Sequence, residues 1–188
     1  VTDGGDEYEF REVDAAAWGD FASLFEGRGG PSYCWCMVFR APPGQSHAPD
    51  KAAKKAEIRR RISANEPVGF LAYAQGEPVA WCSIAPVGTF QRLGKGIDTE
   101  REGVWALTCF YVPRRLRGQG LARRLLQGAI EHARARGAHT VEAYPVDPDS
   151  PSYGYLGRVP MFLAAGFEEV GRHGTRRHVM RLALGEHA

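Results

Sequence analysis

The chain has 188 residues, enough for one domain with a sizeable core and too few for two large ones. Apolar residues make up 44% and charged residues 24%, which excludes wholesale disorder, and a net charge of +2 does not argue for nucleic acid, which needs a concentrated basic face. No apolar run approaches the length of a membrane span and no secretory signal is visible, so a cytoplasmic protein with reduced thiols, on neither membrane nor nucleic acid, is the expectation.

Residues 1–7 are polar and acidic and read as a tail. Tyr8 to Val13 alternates as a first strand, and Asp14 is placed to cap the helix whose buried face is Trp18, Phe21, Ala22 and Phe25. Gly27, Gly29, Gly30 and Pro31 end that helix. Ser32 to Arg40 is apolar and aromatic but too short to classify by period, and Pro42, Pro43 and Gly44 open a loop. Asp50 to Asn65 reads as a helix with a broad polar face. Gly69 to Gln75 and Pro78 to Ala85 form a hairpin about Gly76 and Glu77. A loop rich in glycine and charge, Val87 to Glu102, precedes a continuously apolar strand from Gly103 to Val112, too uniform for a sheet edge. Gly120 to Arg136 is the clearest helix: Leu121, Leu125, Ala129 and Ala133 step by four, and Gly137 stands at the C-terminal cap. Thr140 to Tyr144 is a strand stopped by Pro145, and a loop runs from Asp147 to Gly157. Val159 to Ala165 is a short helix ended by Gly166, and Phe167 to Val170 and His178 to Leu184 are closing strands. Antiparallel strands followed by β-α-β units predict a single α/β domain over residues 1–188 with a mixed, largely antiparallel central sheet and helices on its faces.

The informative stretch is Thr108 to Ala122, where a buried strand enters a basic glycine turn that runs directly into an amphipathic helix. Gly118 and Gly120 lack a Cβ and let a ligand approach the backbone. The first amides of the helix have no intrahelical partners, and with the helix dipole they suit a pyrophosphate. Arg114, Arg115, Arg117, Arg123 and Arg124 add positive charge. A dinucleotide fingerprint fails because Arg123 stands where Gly or Ala is required, and Gly94-Lys95-Gly96 lacks the hydroxyl and the spacing of a P-loop.

Arg117-Gly118-Gln119-Gly120-Leu121-Ala122 resembles the Arg/Gln-x-x-Gly-x-Gly/Ala motif of the GNAT superfamily of acyl-CoA transferases; Arg115-x-x-Gly118-x-Gly120 also fits but starts the helix two residues early. Met161 to Phe167 is similar to that family's closing helix and Gly-Phe exit. The resemblance covers most of the chain after Tyr8 and is weakest over the substrate-side residues 27–66. It implies a splayed parallel pair, here Gly103 to Val112 and Thr140 to Tyr144, with the pantetheine arm of acetyl-CoA paired to the backbone near Phe110, Tyr111 and Val112. The pyrophosphate would rest on Arg117, Gly118, Gln119, Gly120, Leu121, Ala122 and Arg123. The implied activity is N-acetyl transfer from acetyl-CoA to a primary amine of a small molecule or protein by direct attack, helped by positioning, carbonyl polarisation and a base. No metal is implied, and a homodimer is allowed, since such proteins often dimerise.

Two departures stand out. Phe162 occupies the place where many members carry a Tyr acid, and Ala106 the place where some carry an acidic base. Glu142, a carboxylate between apolar strand residues, its neighbour Tyr144, and Tyr155 beside the closing helix are the candidate substitutes. The same two positions keep a rival open, a non-catalytic acyl-CoA-binding or sensor domain. A third reading takes Cys34 and Cys36, with Cys82 and Cys109, as a metal or redox centre, but no Cys-x-x-Cys knuckle exists and buried free cysteines are ordinary core residues. Tyr33, Trp35, Phe39, Trp81 and Trp105 read mostly as core that also walls an acceptor pocket, and Arg59, Arg60 and Arg61 as a solvated helix face.

Overall fold

The computed structural model describes residues 8–41, 50–93 and 101–185. The expected tail (1–7), the loop opened by Pro42, Pro43 and Gly44, and the Gly94-Lys95-Gly96 turn lie outside the described residues. Seven strands and four helices are described: β1 (Glu9–Glu12), α1 (Trp18–Glu26), α2 (Lys51–Ser63), β2 (Phe70–Ala74), β3 (Glu77–Pro86), β4 (Val104–Tyr111), α3 (Leu121–Ala135), β5 (Thr140–Ala143), α4 (Val159–Leu163), β6 (Glu168–His173) and β7 (Arg177–Ala183).

The strands make one sheet in the order β1-β2-β3-β4-β5-β7-β6. Every neighbouring pair is antiparallel except β4 and β5. That exception follows from α3, whose length returns the chain to the starting end of β4. The apolar stripe of α3 (Leu121, Leu125, Leu126, Ala129, Ala133) is buried with Leu107, Phe110 and Val141. The other sheet face carries Phe21 and Phe25 of α1 and Ile58 and Ile62 of α2, packed with Leu71, Tyr73 and Trp81. Each fully buried leucine or isoleucine contributes about 1.5–3 kcal/mol, so these two apolar layers hold the helices to the sheet.

Two local features open the sheet. Ser83 pairs with Cys109 but Ile84 with Leu107, so Thr108 is an extra residue that bends β4. β5 pairs with β4 only from Val104↔Thr140 to Leu107↔Ala143. Beyond Ala143 comes Pro145, which has no N–H for a ladder, and Val146 turns away to bridge Arg158 and Arg177. Thr108 to Tyr111 therefore run on without β5, and the parallel pair is splayed.

Sequence and structure differ in detail. The Ser32 to Arg40 stretch, which its period left unclassified, is a succession of turns. Trp35 (φ 48) and Cys36 (φ 57) both lie in the left-handed region, which bulky residues avoid. Asp14 accepts from the Ala17 amide at 2.9 Å, capping the turn ahead of α1. β6 continues to His173, beyond the expected Val170.

Candidate functional site

The glycine turn stands at the open end of the splay. Gly118 and Gly120 both have φ 78, and a Cβ at either would meet nothing within 4 Å. Backbone conformation, not crowding, calls for glycine there, and the space above the turn is free. Arg117 Nε donates to the Val112 carbonyl (2.9 Å) and Gln119 Nε2 to the Arg115 carbonyl (3.0 Å), tying the turn to the end of β4. Leu121 is buried and anchors the first turn of α3 in the core. The Arg123 amide is already bonded to the Gly120 carbonyl (3.0 Å). What Arg123 offers a ligand is its side chain, which lines a smaller pocket of about 350 Å³ with Arg124, Gln127 and Met161.

A cavity of about 730 Å³ occupies the splay. Its floor is the free end of β4, from Thr108 through Cys109, Phe110 and Tyr111 to Val112. Arg117 and Ala122 close the end nearest α3. Tyr33, Cys34, Cys36 and Phe39 also line it, as do Tyr155, Gly157 and Arg158, with the Phe39 and Tyr155 rings 6.5 Å apart. Of the ten residues expected to hold a cofactor, Phe110, Tyr111, Val112, Arg117 and Ala122 thus line this cavity, and Gly118, Gln119 and Gly120 make the exposed rim.

The catalytic candidates separate. Glu142 is only 1% exposed and away from the cavity lining. Arg101 Nη1 and Nη2 donate to its two oxygens at 2.9 and 2.8 Å, Arg181 Nε donates at 2.6 Å, and the Tyr144 hydroxyl donates at 2.5 Å. Burial pushes its carboxyl up, but the Arg101, Tyr144 and Arg181 donors outweigh burial and leave it below the usual carboxylate range. Tyr144 is buried among Ala85, Ala106 and Leu156, its hydroxyl pushed up by burial and then by the Glu142 charge. Tyr155 stands apart from both. It sits in the short helical turn Gly154–Leu156, faces the cavity, and is pushed up to about 12, first by burial. Phe162 is fully buried against Phe110 and Phe167, and Ala106 is fully buried opposite Glu142.

A cluster not anticipated from sequence lies behind Cys36 and Thr108 of the cavity lining. Arg40 is 1% exposed. Its Nη1 donates to the Cys36 carbonyl (3.1 Å) and to Ser83 Oγ (3.0 Å), lies 3.5 Å from Cys36 Sγ, and its Nη2 donates to the Val68 carbonyl (2.8 Å). Trp81 Nε1 donates to Cys36 Sγ at 3.4 Å. Ser83 in turn bonds Thr108 (3.0 Å) on the cavity floor. Only the Arg at the end of an otherwise apolar run hinted at this cluster in the sequence. Among the described residues all four cysteines are free and no group of His, Cys, Asp or Glu is arranged to hold a metal ion. Among the described residues, too, no helix is long and apolar enough to cross a membrane.

A mixed sheet splayed at one parallel pair, with a glycine turn and a helix N-terminus at the mouth of the split, is the GNAT fold. The model of the acetyltransferase (GNAT) family matches residues 34–158, more than half of the chain, and the chain belongs to that family. Among solved structures it is similar to an N-acetyltransferase from Staphylococcus aureus Mu50 (15% identity, TM-score 0.59, covering 95% of this chain and 99% of that one). It is also similar to yncA from Salmonella typhimurium with its cofactor acetyl-CoA (19%, TM-score 0.57, 97% and 96%). A third is the aminoglycoside acetyltransferase AAC(6')-Ib in complex with coenzyme A (16%, TM-score 0.61, 94% and 95%). At these identities the likenesses speak for the fold alone. No curated protein matches the chain.

Proposed function

We propose that the chain transfers an acetyl group from acetyl-CoA to a primary amine of a small molecule or protein, the amine attacking the thioester carbonyl directly. The observation that carries this is the glycine turn opening α3 at the mouth of the cavity between β4 and β5. The Salmonella and aminoglycoside neighbours hold acetyl-CoA or coenzyme A in their structures, which supports the same use here. The amides of Gly118, Gln119, Gly120, Leu121 and Ala122, with the Arg117 and Arg123 side chains, would hold the pyrophosphate. Backbone groups of Phe110, Tyr111 and Val112 have lost β5 as a partner and would pair with the pantetheine amides. A thioester acyl group delivered along β4 would end near Thr108 and Cys109, in the part of the cavity that Cys36 and Tyr155 also line.

Tyr155 is the proton donor in this scheme. Its hydroxyl stays protonated at neutral pH, faces the cavity, and can neutralise the thiolate that leaves. Glu142 and Tyr144 instead fix β5 against β7 and the Arg101 segment, since both Glu142 oxygens are already engaged. The test is release of coenzyme A thiol from acetyl-CoA across a panel of small amines and peptide N-termini. Acceptor-dependent release is expected. Binding of acetyl-CoA with no turnover on any acceptor would contradict the enzyme and support an acyl-CoA sensor.

A further inference from the structure

The amine must shed a proton as it attacks, and Ala106 supplies no base where the fold often places one. Among the described residues the cavity wall holds neither a carboxylate nor a histidine. Its titratable groups are phenols, thiols and the guanidinium groups of Arg117 and Arg158.

Arg40 decides which thiol is charged. A guanidinium is in practice always protonated, and a buried charge without a counter-charge costs several kcal/mol, on the order of the penalties known for unpaired buried ions. Among the described residues no carboxylate is bonded to Arg40; its partners are carbonyls, Ser83 Oγ and Cys36 Sγ, and it stacks on Phe90. Cys36 is the one partner that can carry negative charge. Its sulfur also receives Trp81 Nε1–H, so two donors converge on one atom of a residue that lines the cavity. Trp35 and Cys36 both keep a left-handed backbone in this turn, a cost that the packing around them offsets.

We propose that Cys36, held as a thiolate by Arg40 and Trp81, is the catalytic base that takes the proton of the attacking amine. The proposal rests on acetyl-CoA occupying the cavity as described above. The amine lone pair forms the carbon–nitrogen bond and the carbon–sulfur bond breaks. Its electron pair leaves on the coenzyme A sulfur, which takes a proton from Tyr155. The amine proton passes to Cys36, and proton exchange with solvent restores the Cys36 thiolate and the Tyr155 phenol. Before attack, the same negative charge draws an ammonium acceptor into the cavity.

The surrounding charges agree with this assignment. The Cys109 hydrogen bond, then the Arg40 charge and the Ser83 and Trp81 donors, outweigh burial and hold the Cys36 thiol well below the ordinary thiol range. Cys34 is raised to about 11, first by burial and then by the Cys36 charge. Cys109 is raised by its bond to Cys36 and by burial, and Cys82 by burial and the Cys36 charge. From α2, Arg61 adds positive charge beside Arg40, and Lys54 acts on Cys34.

The test uses the full chain and Cys36→Ser, which keeps size and polarity. Iodoacetamide alkylation of native protein, mapped by peptide mass, should titrate Cys36 below the ordinary thiol range. The acidic limb of kcat/KM should track that titration. In Cys36→Ser the limb should vanish and kcat should fall about 10²–10⁴-fold, while calorimetric acetyl-CoA affinity stays within about threefold. A Cys36 that alkylates like a free thiol, a variant with unchanged kcat, or a retained acidic limb would overturn the assignment. So would a +42 Da acetyl group on Cys36 after acid quench, which marks a nucleophile. If Cys36→Ser does not fold, the native alkylation titration and the quench still decide. Failure of native protein to bind acetyl-CoA would instead defeat the cofactor site itself.

Discussion

Tyr155 and Glu142, both candidates by residue type, separate into chemistry and architecture according to what surrounds each. Tyr155 opens on the cavity, so Tyr155→Phe should lower kcat about 10²-fold and leave acetyl-CoA affinity unchanged, measured by steady-state kinetics beside calorimetry. An unaltered kcat would remove it from the chemistry. Glu142 is enclosed by Arg101, Arg181 and Tyr144, so Glu142→Gln should cost about 1–3 kcal/mol in urea unfolding, reduced from a fully buried pair because Arg181 is 44% exposed. Its folded pKa lies below the unfolded value. The stabilisation is therefore full above the unfolded carboxylate pKa of about 4.3 and is lost as pH falls through the folded value. The wild-type advantage over Glu142→Gln should be constant from neutrality to about pH 5 and shrink below it. Sequence reading marked Glu142 as costly to bury but could not find its counter-charges, which arrive from Arg101 and Arg181, 41 and 39 residues away. The same limit hid Arg40: its charge is answered at Cys36, within a turn whose φ values no periodicity reveals.

At the scale of elements, the splay depends on how β4, the turn after Tyr153 and α4 meet. Gly157 has φ +87, and a Cβ there would come within 2.7 Å of Phe162 Cε2 and 3.2 Å of Phe110 Cε2. Gly157→Ala should cost about 2–4 kcal/mol from left-handed strain plus overpacking, and by pushing Phe110 it should weaken acetyl-CoA binding as well. A thermal midpoint equal to wild type would mean that this contact relaxes freely. Elements with a strong period were legible in advance: α3 from its four-residue apolar steps, and β4 from its unbroken apolar run. The turns from Ser32 to Arg40 were not, because Trp35, Cys36 and Met37 pack as core without forming a regular element. The bulge at Thr108 was hidden for a related reason, since a register shift depends on the partner strand and not on the strand's own sequence.

For the whole molecule, the sheet order places two independent features at one mouth. β4 and α3 bring the glycine turn there through sequence continuity, while the Cys36 turns and the Tyr155 turn reach it from segments more than a hundred residues apart. The cofactor half of the candidate site was readable because a local motif encodes it. Beyond that motif, Tyr33, Phe39 and Tyr155 were marked in advance and line the cavity, whereas the contacts of Arg40 with Ser83 and of Cys36 with Trp81 were not, because they join residues far apart in the chain. The central claim is that this mouth holds acetyl-CoA by its pyrophosphate, and calorimetric titration of acetyl-CoA into the native chain and into Gly120→Glu tests it most directly. The added Cβ finds open space, and the φ of 78 limits the stability cost to about 1–2 kcal/mol, so the variant should remain folded by circular dichroism. Saturable one-site binding to the native chain, lost in the folded variant as a carboxylate meets the phosphates, is the predicted result. Absence of binding to the native chain, or equal binding by both, would contradict it.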